Sequence, residues 1–106
     1  MEAVVRALAE SHRREILRLV TDRELPAGHI ASHFEVTGPA VSQHLRVLKE
    51  AGLVTERREG TRRLYRARPE GLMELRAYLE SFWDDRLAIL KQEAEKEGRK
   101  RARAAG

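Results

Sequence analysis

The sequence predicts a single, mainly α-helical domain carrying one small β-hairpin, in the order α-α-α-α-β-β-α. Three observations lead there. Apolar residues recur at helical spacing through residues 2–51 and again beyond Pro69. Between those stretches the period changes to two short strand-like runs around Glu59-Gly60-Thr61. A length of 106 residues is one domain's worth of chain, with room for a modest core.

The elements follow in order. Val4, Val5 and Leu8 stand at helical spacing within Glu2–Glu10. Ser11 has the chemistry of an N-cap, because its hydroxyl can take an unpaired amide of the first turn. Ile16, Leu17 and Val20 then make one apolar stripe over residues 12–21. The polar run Thr21–Glu24 closes that helix. Pro26 suits the opening turn of the next, where a missing N–H costs least, and Ile30, Ala31 and Phe34 face inward over residues 27–34. Glu35-Val36-Thr37 predicts a three-residue turn. Thr37 then caps a helix with Pro39 in its first turn. This helix buries Val41, Leu45 and Leu48, runs to about Ala51 and stops at a left-handed Gly52. Leu53–Arg57 and Arg62–Arg66 form the hairpin. After Pro69, Leu72, Leu75, Leu79, Phe82, Trp83, Leu87 and Leu90 mark a long helix. Residues 91–106 are charged and small and are expected to fray into a disordered tail, so the domain proper spans 1–90.

Composition narrows the class. Apolar residues at 42% are too many for a wholly disordered chain, and charged residues at 36% too many for a membrane protein. No run approaches the roughly 18–20 consecutive apolar residues of a membrane span. The first fifteen residues lack the basic start, apolar block and cleavage site of a secretory signal. With no cysteine there is no disulfide framework, thiolate metal site or cysteine nucleophile. A cytoplasmic protein is expected. The net charge of +4 is concentrated: residues 53–68 carry six arginines against two glutamates, the electrostatic footprint of a polyanion-binding patch. Arginine supplies 17 of the 21 basic residues.

Two helices joined by a tight turn and followed by a hairpin are the layout of a winged helix-turn-helix. The sequence also resembles the ArsR/SmtB-type bacterial repressors. The resemblance is carried by Arg14-Glu15-Ile16-Leu17, Gly38-Pro39-Ala40-Val41-Ser42-Gln43-His44-Leu45, Leu48-Lys49-Glu50-Ala51-Gly52-Leu53-Val54 and Glu59-Gly60-Thr61-Arg62-Arg63-Leu64-Tyr65. It covers roughly residues 3–90 in the family's order. The resemblance implies a homodimer built on the first and last helices, a recognition helix in the major groove, and a wing flanking the backbone or minor groove. It also implies repression, often of the protein's own operon, until an inducer acts.

The residues supply physical reasons of their own. On a helix starting at Thr37, burying Val41, Leu45 and Leu48 turns Ser42, Gln43, Arg46 and Lys49 outward. Gln43 can pair bidentately with adenine, and Arg46 with guanine or phosphate. The small pair Gly38-Pro39 lets the helix N-terminus approach DNA, where its partial positive charge favours phosphate; many relatives have a basic residue where Gly38 stands. His44 sits beside the buried stripe, where packing and hydrogen bonding, steadying the helix or touching a phosphate, are expected of it rather than metal ligation. Arg57, Arg58, Arg62 and Arg63 flank the hairpin tip, within reach of phosphates or a narrow minor groove. Edge-strand protection would explain charge there as well, but lysine and glutamate serve that purpose equally, and the single sign favours DNA.

The last helix holds Tyr78, Phe82 and Trp83, three of the five aromatics, within six residues. Leu72, Leu75, Leu79, Phe82 and Trp83, joined by Val4, Val5 and Leu8, are expected to form a symmetric dimer interface. Dimerisation sets two recognition helices about 34–36 Å apart, one DNA turn. No metal or other cofactor is expected. The family's cysteine site would fall on Leu25-Pro26-Ala27-Gly28-His29, its other site needs histidine on the last helix, and no histidine follows His44. His29 and His33 could share a helix face but offer two ligands only. His12 belongs to the opening turn of its helix. No catalytic residues are expected, since no serine lies in a strand-turn-helix elbow and there is no glycine-rich phosphate loop. The expected function is a sequence-specific, DNA-binding repressor, homodimeric on a palindromic operator, with its inducer open. The alternatives are an activator on the same fold, or a winged helix turned into a protein-interaction module.

Overall fold

The computed structural model describes the backbone of residues 1–105 and the side chains of all of these except Asp85 and residues 100–105. The elements are α1 (Glu2–Leu8), α2 (Ser11–Leu19), β1 (Leu25–Pro26), α3 (Ala27–Ala31), α4 (Gly38–Glu50), β2 (Val54–Glu59), β3 (Arg62–Ala67) and α5 (Pro69–Ala105). They divide into two units, Met1–Leu75 and the stretch from Arg76 onward.

In the first unit the helices start where local chemistry allows. Glu10, rather than Ser11, is the N-cap of α2: its carboxylate accepts from the Arg13 amide at 3.2 Å, so Ser11 becomes the first helical residue. A carboxylate reaches the same orphan amides as a hydroxyl and adds charge that the helix N-terminus favours. Thr37 caps α4 as expected, its hydroxyl accepting from the Ala40 amide at 3.2 Å. The far end of α4 closes as a Schellman motif. The amide of Leu53 donates to the Leu48 carbonyl and that of Gly52 to Lys49, both at 3.0 Å, with Gly52 at φ 77°.

Two expectations are corrected between α2 and α4. Leu25 and Pro26 form a short strand, so the order is α-α-β-α-α-β-β-α, and Pro26 caps α3 instead of lying inside it. β1 pairs with β3 in the register Leu25↔Tyr65 and Pro26↔Leu64, giving a sheet of order β1-β3-β2. At an edge, a proline's missing N–H interrupts nothing beyond it. Helix α3 also ends at Ala31, short of Phe34. The amides of His33 and Phe34 turn back to carbonyls three residues earlier, tightening the chain before the turn into α4.

The hairpin forms where expected, but β2 starts one residue later, at Val54, and runs on to Glu59, and β3 ends one residue later, at Ala67. Glu59 pairs with Arg62 across a two-residue turn, where Gly60 at φ 63° supplies the one positive φ that a II′ turn requires. The core joins Val4 and Ala7 of α1, Ile16, Leu17 and Val20, Leu25, Ile30, the α4 stripe Val41, Leu45 and Leu48, and Leu53, Val54, Tyr65 and Ala67. Val4, expected at a dimer interface, is therefore enclosed by its own domain, because the 3.6-residue period turns it inward with Ala7 and leaves Val5 47% exposed. Leu8, Leu72 and Leu75 are half-buried against the same core. The start of α5 packs closely: a Cβ on Gly71 would stand 2.2 Å from the Gly52 carbonyl oxygen.

From Arg76 the second unit is helix throughout, reaching Ala105 where a frayed tail from Lys91 was expected. The stretch is rich in alanine, glutamate, lysine and arginine, which lose little on entering a helix. Spaced ion pairs, Arg76 with Glu80 at 2.8 Å and Arg99 with Glu95 at 3.9 Å, add support at i,i+4. Tyr78 and Phe82 meet edge to face at 5.1 Å between centroids. Leu79, Phe82, Trp83, Leu87, Ile89 and Leu90 are exposed, Trp83 by 61%. None of the helices, over the described residues, is long and apolar enough to cross a membrane.

Candidate nucleic-acid interface

Burying Val41, Leu45 and Leu48 leaves one face of α4 free. Thr37, Gly38, Pro39, Ser42, Gln43, Arg46 and Lys49 are all exposed along it, while His44, beside the buried stripe, is largely covered. Nothing lies within 4 Å of where a Cβ on Gly38 would be, so packing does not demand glycine there. The face is a helix stripe of hydroxyl, amide and cations around an uncovered N-terminus, a set that donates hydrogen bonds to acceptor-rich surfaces.

The wing meets this face across a cleft of about 200 Å³ lined by Ala27, Ser42, Leu45, Arg46, Lys49, Glu56, Arg63 and Tyr65. At its floor is Glu56. Its carboxylate takes Lys49 Nζ at 3.1 Å and the Tyr65 hydroxyl at 3.4 Å, with Arg63 Nε 3.6 Å away. The Lys49 hydrogen bond, aided by the charges of Lys49 and Arg63, lowers the Glu56 pKa. Burial, with the Glu56 charge next, raises that of Tyr65. One carboxylate thus joins the outer face of α4 to the wing.

Strand alternation divides the four wing arginines. Arg58 stands directly opposite Arg63, on the strand face that also carries Glu56 and Tyr65, whereas Arg57 points the other way. Like charges placed opposite each other destabilise a bare hairpin, and an anion between them relieves the cost. Arg57 is differently occupied. Its Nε and Nη2 donate to the two oxygens of Glu24 at 3.1 and 2.6 Å, and Nη2 also to Glu59 at 2.9 Å. These hydrogen bonds raise the Arg57 pKa and lower that of Glu24. Arg57 therefore ties the wing to the segment before β1. Arg58 and Arg62 have no carboxylate in ion-pair reach among the described residues.

A third group lies behind α4. Glu10 Oε1 accepts from His12 Nδ1 at 2.9 Å, and Glu10 Oε2 is 3.9 Å from His44 Nε2. The His12 and His44 rings stack at 5.6 Å, and Phe34 meets His12 edge-on. The His12 hydrogen bond, with the Arg13 amide, holds the Glu10 carboxyl down at about 2. His29 and His33 stack at 5.3 Å, exposed on another surface.

The sequence reading brought out the α4 face and the basic hairpin but missed Glu56, Glu24 and the Glu10–His12–His44 group. Glu24 and Arg57 are 33 positions apart, and no local pattern announces that pairing. Glu56 carried a usable signal, as an acid alternating onto the face of β2 that packs inward with Val54.

Comparison with known proteins agrees with this geometry. Residues 10–56 match the family model described as bacterial regulatory protein, arsR family. The HTH-type transcriptional regulator Rv2034 of Mycobacterium tuberculosis is 45% identical over 92 residues, covering 87% of this chain and 86% of that protein. The transcriptional repressor SdpR of Bacillus subtilis is 38% identical over 60 residues, 57% of this chain and 67% of that one. The solution structure of the homodimeric winged helix-turn-helix DNA-binding domain of Mb0332 from Mycobacterium bovis superposes with a TM-score of 0.64 at 36% identity, covering 78% of this chain and 77% of that domain. A helix-turn-helix with an outward polar stripe, a basic wing and these relatives lead to one conclusion: the chain belongs to the ArsR family of winged helix-turn-helix, DNA-binding transcriptional regulators.

Proposed function

We propose that the protein is a homodimeric repressor that reads a palindromic operator, its own promoter included, with α4 in the major groove and the wing on the adjoining backbone. The observation that carries this is the continuity of the α4 stripe with the wing, since Ser42, Arg46 and Lys49 share one cleft with Arg63. In this reading Gln43 and Arg46 face base edges, with Ser42 beside them, and Thr37, Gly38 and Pro39 bring the helix N-terminus to a phosphate. Arg58, Arg62 and Arg63 hold the backbone, and His44 positions α4 from behind. Arg57 is kept out of the first rank of contacts by its hold on Glu24.

Dimerisation is supported by the exposed apolar stripe of α5, with Leu79, Phe82 and Trp83 available to a second copy, and by Val5 on α1. Repression is supported by the likeness to a named repressor and the homodimer by the likeness to a homodimeric domain. Chemistry on a bound substrate has no support in the site, and the action belongs to the cytoplasm, where the DNA is. The test is a fluorescence-anisotropy titration against the chain's own upstream DNA and a scrambled duplex at several salt concentrations. A preference of about 10³-fold or more for the upstream DNA is expected of a sequence-reading regulator. Equal affinity for both duplexes overturns the operator assignment.

A further inference from the structure

We propose that His29, with Arg62 and Arg63, forms a proton-coupled site for a DNA backbone phosphate, the imidazole taking up a proton as the complex forms. Strand register brings the three together. Pro26 pairs with Leu64 and the strands are antiparallel, so Arg63 and Arg62 lie alongside Ala27 and Gly28 where the chain turns into α3. The groove between them has a volume of about 520 Å³, and its polar lining is His29, Thr61, Arg62 and Arg63. An imidazole, a hydroxyl and two guanidiniums can each donate to a phosphate oxygen. The groove shares Ala27 and Arg63 with the cleft between α4 and the wing, so a duplex lying on that cleft carries its backbone past His29. The inference rests on the reading of that face as the DNA interface.

The groups around the ring are cationic or neutral. Arg62 and Arg63 face it from β3, and His33 stacks on it at 5.3 Å with the ring planes 17° apart. Beyond the shared Arg63, the adjoining cleft carries Arg46 and Lys49 from α4 and Glu56 from β2. Glu56 is already engaged, holding Lys49 at 3.1 Å and standing 3.6 Å from Arg63 Nε. Among the described residues no carboxylate is in ion-pair reach of His29, His33 or Arg62. Solvation accounts for an exposed histidine anywhere on the surface. It does not account for an imidazole set in a groove with two arginines and no acid, where an incoming phosphate supplies the negative charge.

Imidazole is the side chain whose charge ordinarily changes between about pH 5 and 8. A phosphate beside it favours the charged form, and binding is then linked to proton uptake. The affinity contributed by the charged ring is complete in acid, where the ring is protonated with or without DNA. It is lost as pH rises through the range in which only the bound ring keeps its proton. Stacking of His33 on His29 opposes a second positive charge, so the uptake is limited to one proton per chain. A phosphate carries no sequence information, so operator and scrambled duplex gain alike. His29 thereby makes the strength of attachment, and not the choice of site, respond to pH.

The test repeats the anisotropy titration of the full chain at fixed ionic strength from about pH 6 to about pH 8.5, across the imidazole range. Calorimetry in buffers of different ionisation enthalpy counts the protons. Affinity for both duplexes should fall by about tenfold over that range, the effect of a one-unit difference between free and bound imidazole. Up to one proton should be taken up per chain. His29→Asn should match the parent at the alkaline end and lose the gain at the acid end. His29→Lys, charged throughout, should hold the acid-end affinity at every pH. His12→Gln, which removes an imidazole from the group behind α4, should keep the full dependence. A parent chain that binds DNA equally at both ends, or a dependence that survives His29→Asn, overturns the proposal and leaves the interface reading standing. Binding to neither duplex at the acid end in low salt overturns the interface reading, and this proposal with it.

Discussion

Glu56, rooted in the first strand of the wing, holds the Lys49 ammonium of α4 at 3.1 Å, and it does so inside the cleft between α4 and the wing, the face proposed to meet DNA. A carboxylate there lowers the attraction for any phosphate while fixing the angle between helix and wing. Glu56→Gln removes the charge and keeps the shape. The scrambled duplex should then bind several-fold more tightly, and the preference for operator should shrink. Folding stability should fall by about 1 kcal/mol, since Glu56 is largely covered but its partner Lys49 is open to solvent. Anisotropy against both duplexes measures the first effect, and an unchanged scramble affinity would refute it.

The same carboxylate predicts a pH dependence of stability. Its pKa is lowered in the folded state by Lys49, with Arg63 and Tyr65 contributing. The folded chain therefore releases that proton more readily than the unfolded chain. The stabilisation is complete above the ordinary glutamate pKa and is lost as pH falls through the lowered one. Melting curves from neutral to acid pH should show Glu56→Gln and the parent chain converging at the acid end.

The arginines of the wing should separate into two kinds. Arg58→Ala or Arg62→Ala should weaken all sequences alike and flatten the salt dependence by about one unit, the signature of a lost phosphate contact. Arg57→Ala should leave the salt slope nearly unchanged and lower the melting temperature instead, because Arg57 is spent on Glu24 and Glu59. Equal slopes for all three variants would contradict the division.

On α4, Gln43→Ala and Arg46→Ala should each cost about 1–3 kcal/mol of specific binding and relax the preference at one base pair. Both side chains are exposed, so the fold should be untouched. Melting curves that match the parent, together with full operator affinity, would remove these residues from the interface.

Gly71→Ala should destabilise by about 1–3 kcal/mol, the usual cost of overpacking. The added methyl would meet backbone, the Gly52 carbonyl oxygen at 2.2 Å, and backbone yields less readily than a side-chain tip. Urea titration decides this. For α5, Trp83→Ala should raise the dimer dissociation constant and weaken operator binding in parallel, and sedimentation of the variant as the parent species would contradict it.

Much of this protein was written in local pattern. The helical periods, the Thr37 cap, the Gly52 stop and the Gly60 turn each depend on residues within a few positions of one another, so the helix-turn-helix and hairpin were legible in order. The outward stripe of α4 followed from its buried one by the same geometry. What required the tertiary structure was every relationship set by chain return. The pairing of Leu25 with Tyr65 added a strand, Arg57 was claimed by Glu24, Glu56 was brought under Lys49, and His44 was carried back to Glu10 and His12. Val4 likewise went to its own core although its neighbour Val5 did not. The physical reason is that helix and turn propensities act over one or two turns of chain. Which charged groups meet depends instead on how the helices and the sheet pack, and that packing is selected by the whole buried surface together.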